Sequence, residues 1–110
     1  MKNLKEFKEL ILRYEGITLE DIENVSGEIF YGNDVSNKLT GHGASTSCSL
    51  CIAVERVCES CVYGKRFACI KLNNQETYDA IDEAESQKEL KAAFQNRAKH
   101  MRKILTEKGL

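Results

Sequence analysis

Four cysteines in two C-x-x-C units, Cys48 and Cys51 in "CSLC" and Cys58 and Cys61 in "CESC", are the residues of this chain whose types and spacing most directly imply chemistry. Each unit sets two sulfurs on one tight turn, where backbone amides can hydrogen-bond them. Two such turns complete a tetrahedral thiolate set about 2.3 Å from a single metal ion. The segment between the units is "IAVERV". Extended chain covers roughly 3.3 Å per residue, so this link suffices for one knuckle to end and the next to begin around a shared ion. Zn2+ suits the all-sulfur donor set best, and an iron–sulfur cluster is the alternative occupant of the same ligand type. Cys69, between Ala68 and Ile70, reads as a small apolar core residue. An exchanged ligand set, with Cys69 or His42 in place of one of the four, uses the same coordination chemistry.

Two catalytic readings of these cysteines find little support. A redox dithiol opens a helix after a strand in a thioredoxin-like unit, a context missing here. A zinc deaminase carries His-x-Glu ahead of its C-x-x-C, whereas His42 is followed by Gly43 and Ala44. Zinc held by four thiolates has no open position for water, so it holds structure. The expectation is a protein that is not an enzyme.

Just ahead of the first knuckle lies "GHGASTS", with Gly41, His42, Gly43, Ser45, Thr46 and Ser47. Glycines there can turn backbone amides inward as an anion nest with the hydroxyls as further donors, which makes the loop a candidate site for a nucleotide or other phosphate ligand. It lacks the Gly-Lys-Ser/Thr ending of a P-loop, and the plainer reading is a lead-in to the metal site. A second candidate surface is basic. Lys88, Lys91, Lys99 and Arg102 fall roughly opposite the apolar stripe of Leu90, Phe94, Ala98, Met101 and Leu105 on one helix. That layout suits phosphate backbones, and equally a solvated helix; aromatic residues able to stack on bases are missing beside it, apart from Phe94 on the apolar face.

The elements that must position these groups are mostly helical. "NLKEFKELILRYEG" spaces Leu4, Phe7, Leu10, Ile11 and Tyr14 as one helix face and stops at Gly16, a residue suited to a left-handed cap. "TLEDIENV" follows as a short helix, with Thr18 placed to accept from the amide of Asp21. Residues 26–47 show no sustained period and contain Gly27, Gly32, Asn33, Asp34, Gly41 and Gly43, so they read as loop around a short strand at "EIFY". "VCESCVY" and "RFACIKL" read as two strands joined through Gly64-Lys65, preferred over a single helix across 47–62 because of the β-branched and aromatic content. From residue 76 to 108 the pattern is helical, with a break near Ser86, a capping-box spacing of Ser86 with Glu89, and Gly109 as the stop. The expected architecture is one α+β domain over residues 1–110. It comprises N-terminal helices over 1–25, loop over 26–47, a Cys-rich zinc-knuckle β-hairpin over 48–72 and a long C-terminal amphipathic helix within 76–108.

With 42% hydrophobic and 30% charged residues, the chain has the balance of an ordinary soluble domain. No apolar run approaches the roughly 20 residues of a membrane span, and "MKNLKEFKEL" has no signal-peptide core. Paired cysteines in such a chain fit a reducing, cytoplasmic setting with metal in place of disulfides. The net charge of −1 conceals an asymmetry. Residues 14–37 carry Glu15, Glu20, Asp21, Glu23, Glu28 and Asp34 without Lys or Arg, while the chain from Ser86 onward is strongly basic. Either the two ends neutralise each other in the fold or one faces a charged partner.

Taken together, the Gly/Ser-rich lead-in, "CSLC" with "CESC", and "TYDAIDEA" leading into "LKAAFQNRAKHMRKIL" resemble small four-cysteine proteins of bacteriophages and prophages. The resemblance spans most of the chain, with the four cysteines as its specific part, and implies an accessory, host-modulating role without naming an activity. The expected function is that of a non-catalytic zinc-binding protein that acts on a protein partner and sits at no membrane. Nucleic-acid binding through the basic helix and phosphate-ligand binding at Gly41–Ser47 are the alternatives, and an oligomer is compatible with any of them.

Overall fold

The computed structural model describes residues 3–26, 31–40, 61–62 and 74–110. Helix α1 spans Leu4–Gly16, α2 Leu19–Ser26, α3 Gly32–Thr40, α4 Gln75–Glu83 and α5 Gln87–Glu107. Its long α5 is the organising element. α1, α2 and α4 pack on it, while α3 bridges α1, α2 and α4.

Why these residues form these helices follows from their ends and their buried faces. Thr18 and Asp21 satisfy each other at the start of α2: the Asp21 amide donates to Thr18 Oγ1 at 3.1 Å, and the Thr18 amide to Asp21 Oδ2 at 2.9 Å. Ser86 caps α5 by accepting from the Glu89 amide at 3.1 Å, and the Glu89 carboxylate reaches back to the Glu85 amide at 2.9 Å. That reciprocal arrangement uses up donors that a helix start leaves without partners. α5 ends at Gly109, whose φ of 70° allows the Gly109 amide to reach Thr106 O and the Leu110 amide to reach Leu105 O. Both bonds belong to a Schellman closure, for which glycine is the residue without a Cβ penalty.

Inside, Phe7, Leu10, Ile11 and Tyr14 from α1 meet Leu90, Phe94, Ala98 and Met101 from α5, with Ile22, Val35 and Ile81 closing the core from α2, α3 and α4. Tyr14 and Phe94 stack with ring centroids 5.4 Å apart and planes 19° from parallel. Such a pair contributes about 0.5–1.5 kcal/mol beyond the area it buries. Replacing either ring by alanine would remove the contact at the centre of the α1–α5 interface.

Three expectations require correction. The α+β class does not hold, because the described residues form helices and turns with no strand among them. Cys61 and Val62, expected inside a hairpin strand, form a bend and a turn. The Val62 amide is taken by the Asn3 side chain at 2.9 Å where a ladder partner would have stood, and its side chain is a plug in the helical core. The remaining hairpin residues, and 28–30 of the strand expected at "EIFY", lie outside the described residues.

The second correction concerns 32–40, read as loop but forming α3. Its Asn, Asp, Ser and Thr content favours caps and turns locally. Tertiary burial of Val35, Ser36 and Thr40 on neighbouring helices overrides that preference. Third, Gly16 does not take the left-handed cap conformation; α1 runs through it and ends on extended Ile17, which is buried. The apolar anchor sets the exit direction of the chain there, so the glycine is not needed to turn it.

Candidate metal centre

Asn3 fastens residues 61–62 to the helical body. Asn3 is the N-cap residue of α1, and its carbonyl accepts the first helical bond from the Phe7 amide at 2.8 Å. Asparagine at this position ordinarily turns its side-chain oxygen onto the amides of the first turn. Here it makes no such cap. Instead the Asn3 carboxamide is fully buried and spans the turn at 61–62, its Nδ2 donating to the Cys61 sulfur at 3.0 Å while its Oδ1 accepts from the Val62 amide at 2.9 Å. Cys61 is half-buried against the core and Val62 is fully buried.

The chemistry of this donor suits a metal-bound sulfur. A neutral thiol is a weak acceptor, whereas a thiolate attracts N–H donors strongly and shares its charge with them. An uncharged carboxamide can therefore serve a metal-bound sulfur as a hydrogen-bond donor without placing a competing cation there. Of the proposed ligands, Cys61 is the one among the described residues. Cys48, Cys51 and Cys58 lie outside them, as do Cys69 and the loop residues Gly41, His42, Gly43, Ser45, Thr46 and Ser47. Among the described residues no three His, Cys, Asp or Glu side chains converge into a metal-holding group.

The basic face of α5 divides into unlike parts. Lys88 and Lys99 are exposed and Lys91 is half-buried. Arg102 is engaged with the acidic segment: its Nε and Nη2 lie 2.7 and 2.6 Å from the two carboxylate oxygens of Glu15. These hydrogen bonds hold the Glu15 carboxyl below the usual carboxylate range and push the guanidinium up. No family model, no curated protein and no solved structure matches this chain.

A further polar group lies behind α5 and was not visible as such in the sequence. Arg97, one of the cations of the basic run, is fully buried. It donates from Nη1 to the Asn74 carbonyl at 3.0 Å and to Thr77 Oγ1 at 2.8 Å, with its guanidinium carbon 6.0 Å from the centre of the Tyr78 ring. His100 Nε2 lies 2.6 Å from Asn74 Oδ1. Partial burial, with Arg97 and Lys103 as neighbouring cations, lowers the His100 pKa. This network fastens the start of α4 to α5. The signal for Arg97 was its position one residue ahead of Ala98 in the apolar stripe, three after Phe94 and four before Met101.

Asn3 escaped the sequence reading for a different reason. An asparagine just before a helical run reads as a local cap, and nothing in the sequence reports a contact with a residue 58 positions away.

Proposed function

We propose that this chain is a non-catalytic zinc-binding domain in which thiolates of Cys48, Cys51, Cys58 and Cys61 hold one Zn2+ and fasten the Cys-rich segment to a helical body that binds a protein partner. The observation that carries the metal reading is the paired C-x-x-C spacing, and the Asn3 carboxamide directed at the Cys61 sulfur supports it. Within such a centre the ion supplies charge neutralisation and a fixed tetrahedral geometry. Cys61 supplies one sulfur, Asn3 orients it, and Val62 anchors the adjoining turn in the core.

Two features favour a protein over a nucleic acid as partner. Arg102 is already engaged by Glu15, which removes one of four cations from the basic face. Leu12 and Tyr31 are large side chains left 62% and 75% exposed, and residues of this kind serve protein contacts better than phosphate contacts. The resemblance to phage-borne four-cysteine proteins adds a host-modulating setting for such a contact.

Metal retention by two serine variants tests the ligand set. Cys58→Ser should lose zinc on gel filtration and Cys69→Ser should keep it; release of zinc by Cys69→Ser would show that the ligand set includes Cys69. Titration of the zinc-loaded chain with mixed-sequence DNA tests the partner class. Binding no tighter than about 10⁻⁴ M at 50 mM salt is expected, while micromolar affinity that collapses by 200 mM salt would favour the nucleic-acid reading.

A further inference from the structure

We infer that Asn3 is a positioning residue of the thiolate centre, and that through it metal loading is coupled to docking of the N-terminal end of α1. This inference rests on the zinc reading above and adds to it a residue outside the cysteine motifs.

Three observations carry it. First, Asn3 gives up the local role that its residue type and position favour, since its side chain makes no cap on α1. The tertiary contacts it makes instead offset the loss of that cap. Second, both polar atoms of the carboxamide are used on two consecutive residues: Nδ2 on the Cys61 sulfur at 3.0 Å and Oδ1 on the Val62 amide at 2.9 Å. That pairing fixes the orientation of the carboxamide, because an exchange of its oxygen and nitrogen would set a donor against the Val62 N–H. The nitrogen is thereby held toward the sulfur. Third, the group is fully buried, and so is Val62, so the sulfur receives its hydrogen bond on a side shielded from water.

A buried N–H donor shares the charge of a metal-bound sulfur and fixes the direction in which that sulfur faces the ion. Partners of a ligand in the second layer around an ion commonly change metal affinity by about 10–100-fold. The coupling is reciprocal: whatever factor the docked Asn3 adds to zinc affinity, bound zinc adds to the docking of Asn3. Loss of the ion would release the Cys61 sulfur from its fixed direction and loosen the start of α1, to which Asn3 is tied through the Phe7 amide.

The decisive variant is Asn3→Asp, which keeps an oxygen for the Val62 amide and for helix capping but removes the N–H donor and sets a negative charge against the sulfur. Zinc affinity is read by competition with a chromophoric chelator, and the sulfur is read directly by the thiolate-to-cobalt charge-transfer band of the Co2+-substituted chain. Asn3→Asp should weaken zinc binding about 10–100-fold and move the band to longer wavelength, with helix content unchanged by circular dichroism. Asn3→Ser, which restores a local cap and cannot reach both partners, should shift both readouts in the same direction. If the wild type shows the band and both variants match it in band position and zinc affinity, Asn3 has no such role while the zinc centre stands. A wild type with no charge-transfer band would remove the zinc reading and the inference together.

Discussion

Arg102 and Glu15 join the basic and acidic ends of the chain, with the guanidinium Nε and Nη2 forked onto both carboxylate oxygens at 2.7 and 2.6 Å. The charge asymmetry of the sequence is thus partly resolved inside the molecule, between the end of α1 and the last third of α5. Because the folded-state pKa of Glu15 is lowered, chiefly by the Arg102 hydrogen bonds, the pair's contribution is present above the unfolded carboxylate value of about 4.3 and is lost as pH falls through the lowered folded value. Thermal melts of wild type and Glu15→Gln should differ modestly at pH 7 and converge at acidic pH. High salt should narrow the gap, since both partners are substantially exposed.

Two glycines should respond with opposite signs to alanine. A Cβ on Gly32 would stand 1.6 Å from the Ile81 carbonyl oxygen, so α3 and α4 would have to separate. Gly32→Ala should cost about 1–3 kcal/mol or more in urea unfolding. A Cβ on Gly16 meets nothing within 4 Å, and the residue is helical without a positive φ. Gly16→Ala should therefore be neutral or stabilising by up to about 1 kcal/mol.

Arg97→Met keeps most of the buried volume but deletes both donations to Asn74 O and Thr77 Oγ1. Equilibrium unfolding should show a loss of about 1–3 kcal/mol, the cost of leaving such acceptors without their charged donor. Arg97→Lys should recover only part of it, because one ammonium does not reproduce the planar fork.

His100 gives the chain a pH dependence near neutrality. Its folded pKa is lowered by burial first and by Arg97 and Lys103 next, with Glu76 and Glu107 opposing. Stability linked to it is present above the unfolded histidine value of about 6.5 and falls as pH drops toward the folded pKa, since the unfolded chain takes up the proton more readily. Melting temperature should decline from pH 7.5 to 5.5 in wild type and decline less in His100→Gln, whose amide can still donate to Asn74 Oδ1.

How much of this was legible in the sequence depends on whether the signal was local. The Thr18–Asp21 and Ser86–Glu89 caps, the Gly109 stop and the stripe from Leu90 to Met101 involve near neighbours, and each stands where the spacing put it, while at the end of the stripe Ile104 is buried and Leu105 only partly so. α3 was hidden because Asn33, Asp34, Ser36 and Thr40 favour loops until Val35 and Ser36 are buried against other helices. β-branched content around Cys61 suggested a strand, yet Val62 serves as a core plug whose amide is taken by Asn3. At the candidate centre the cysteine spacing suggests ligand chemistry, and three of the four sulfurs lie outside the described residues. The contact from Asn3 was not legible, because it depends on the chain returning across 58 residues.

One zinc per chain, held by the paired C-x-x-C units, is tested most directly by metal analysis of protein purified without added zinc. About one equivalent of zinc is expected, with chelation lowering the melting temperature because a structural site binds metal as it folds. Metal near zero in the wild type, with a melting temperature unchanged by chelator, would contradict it.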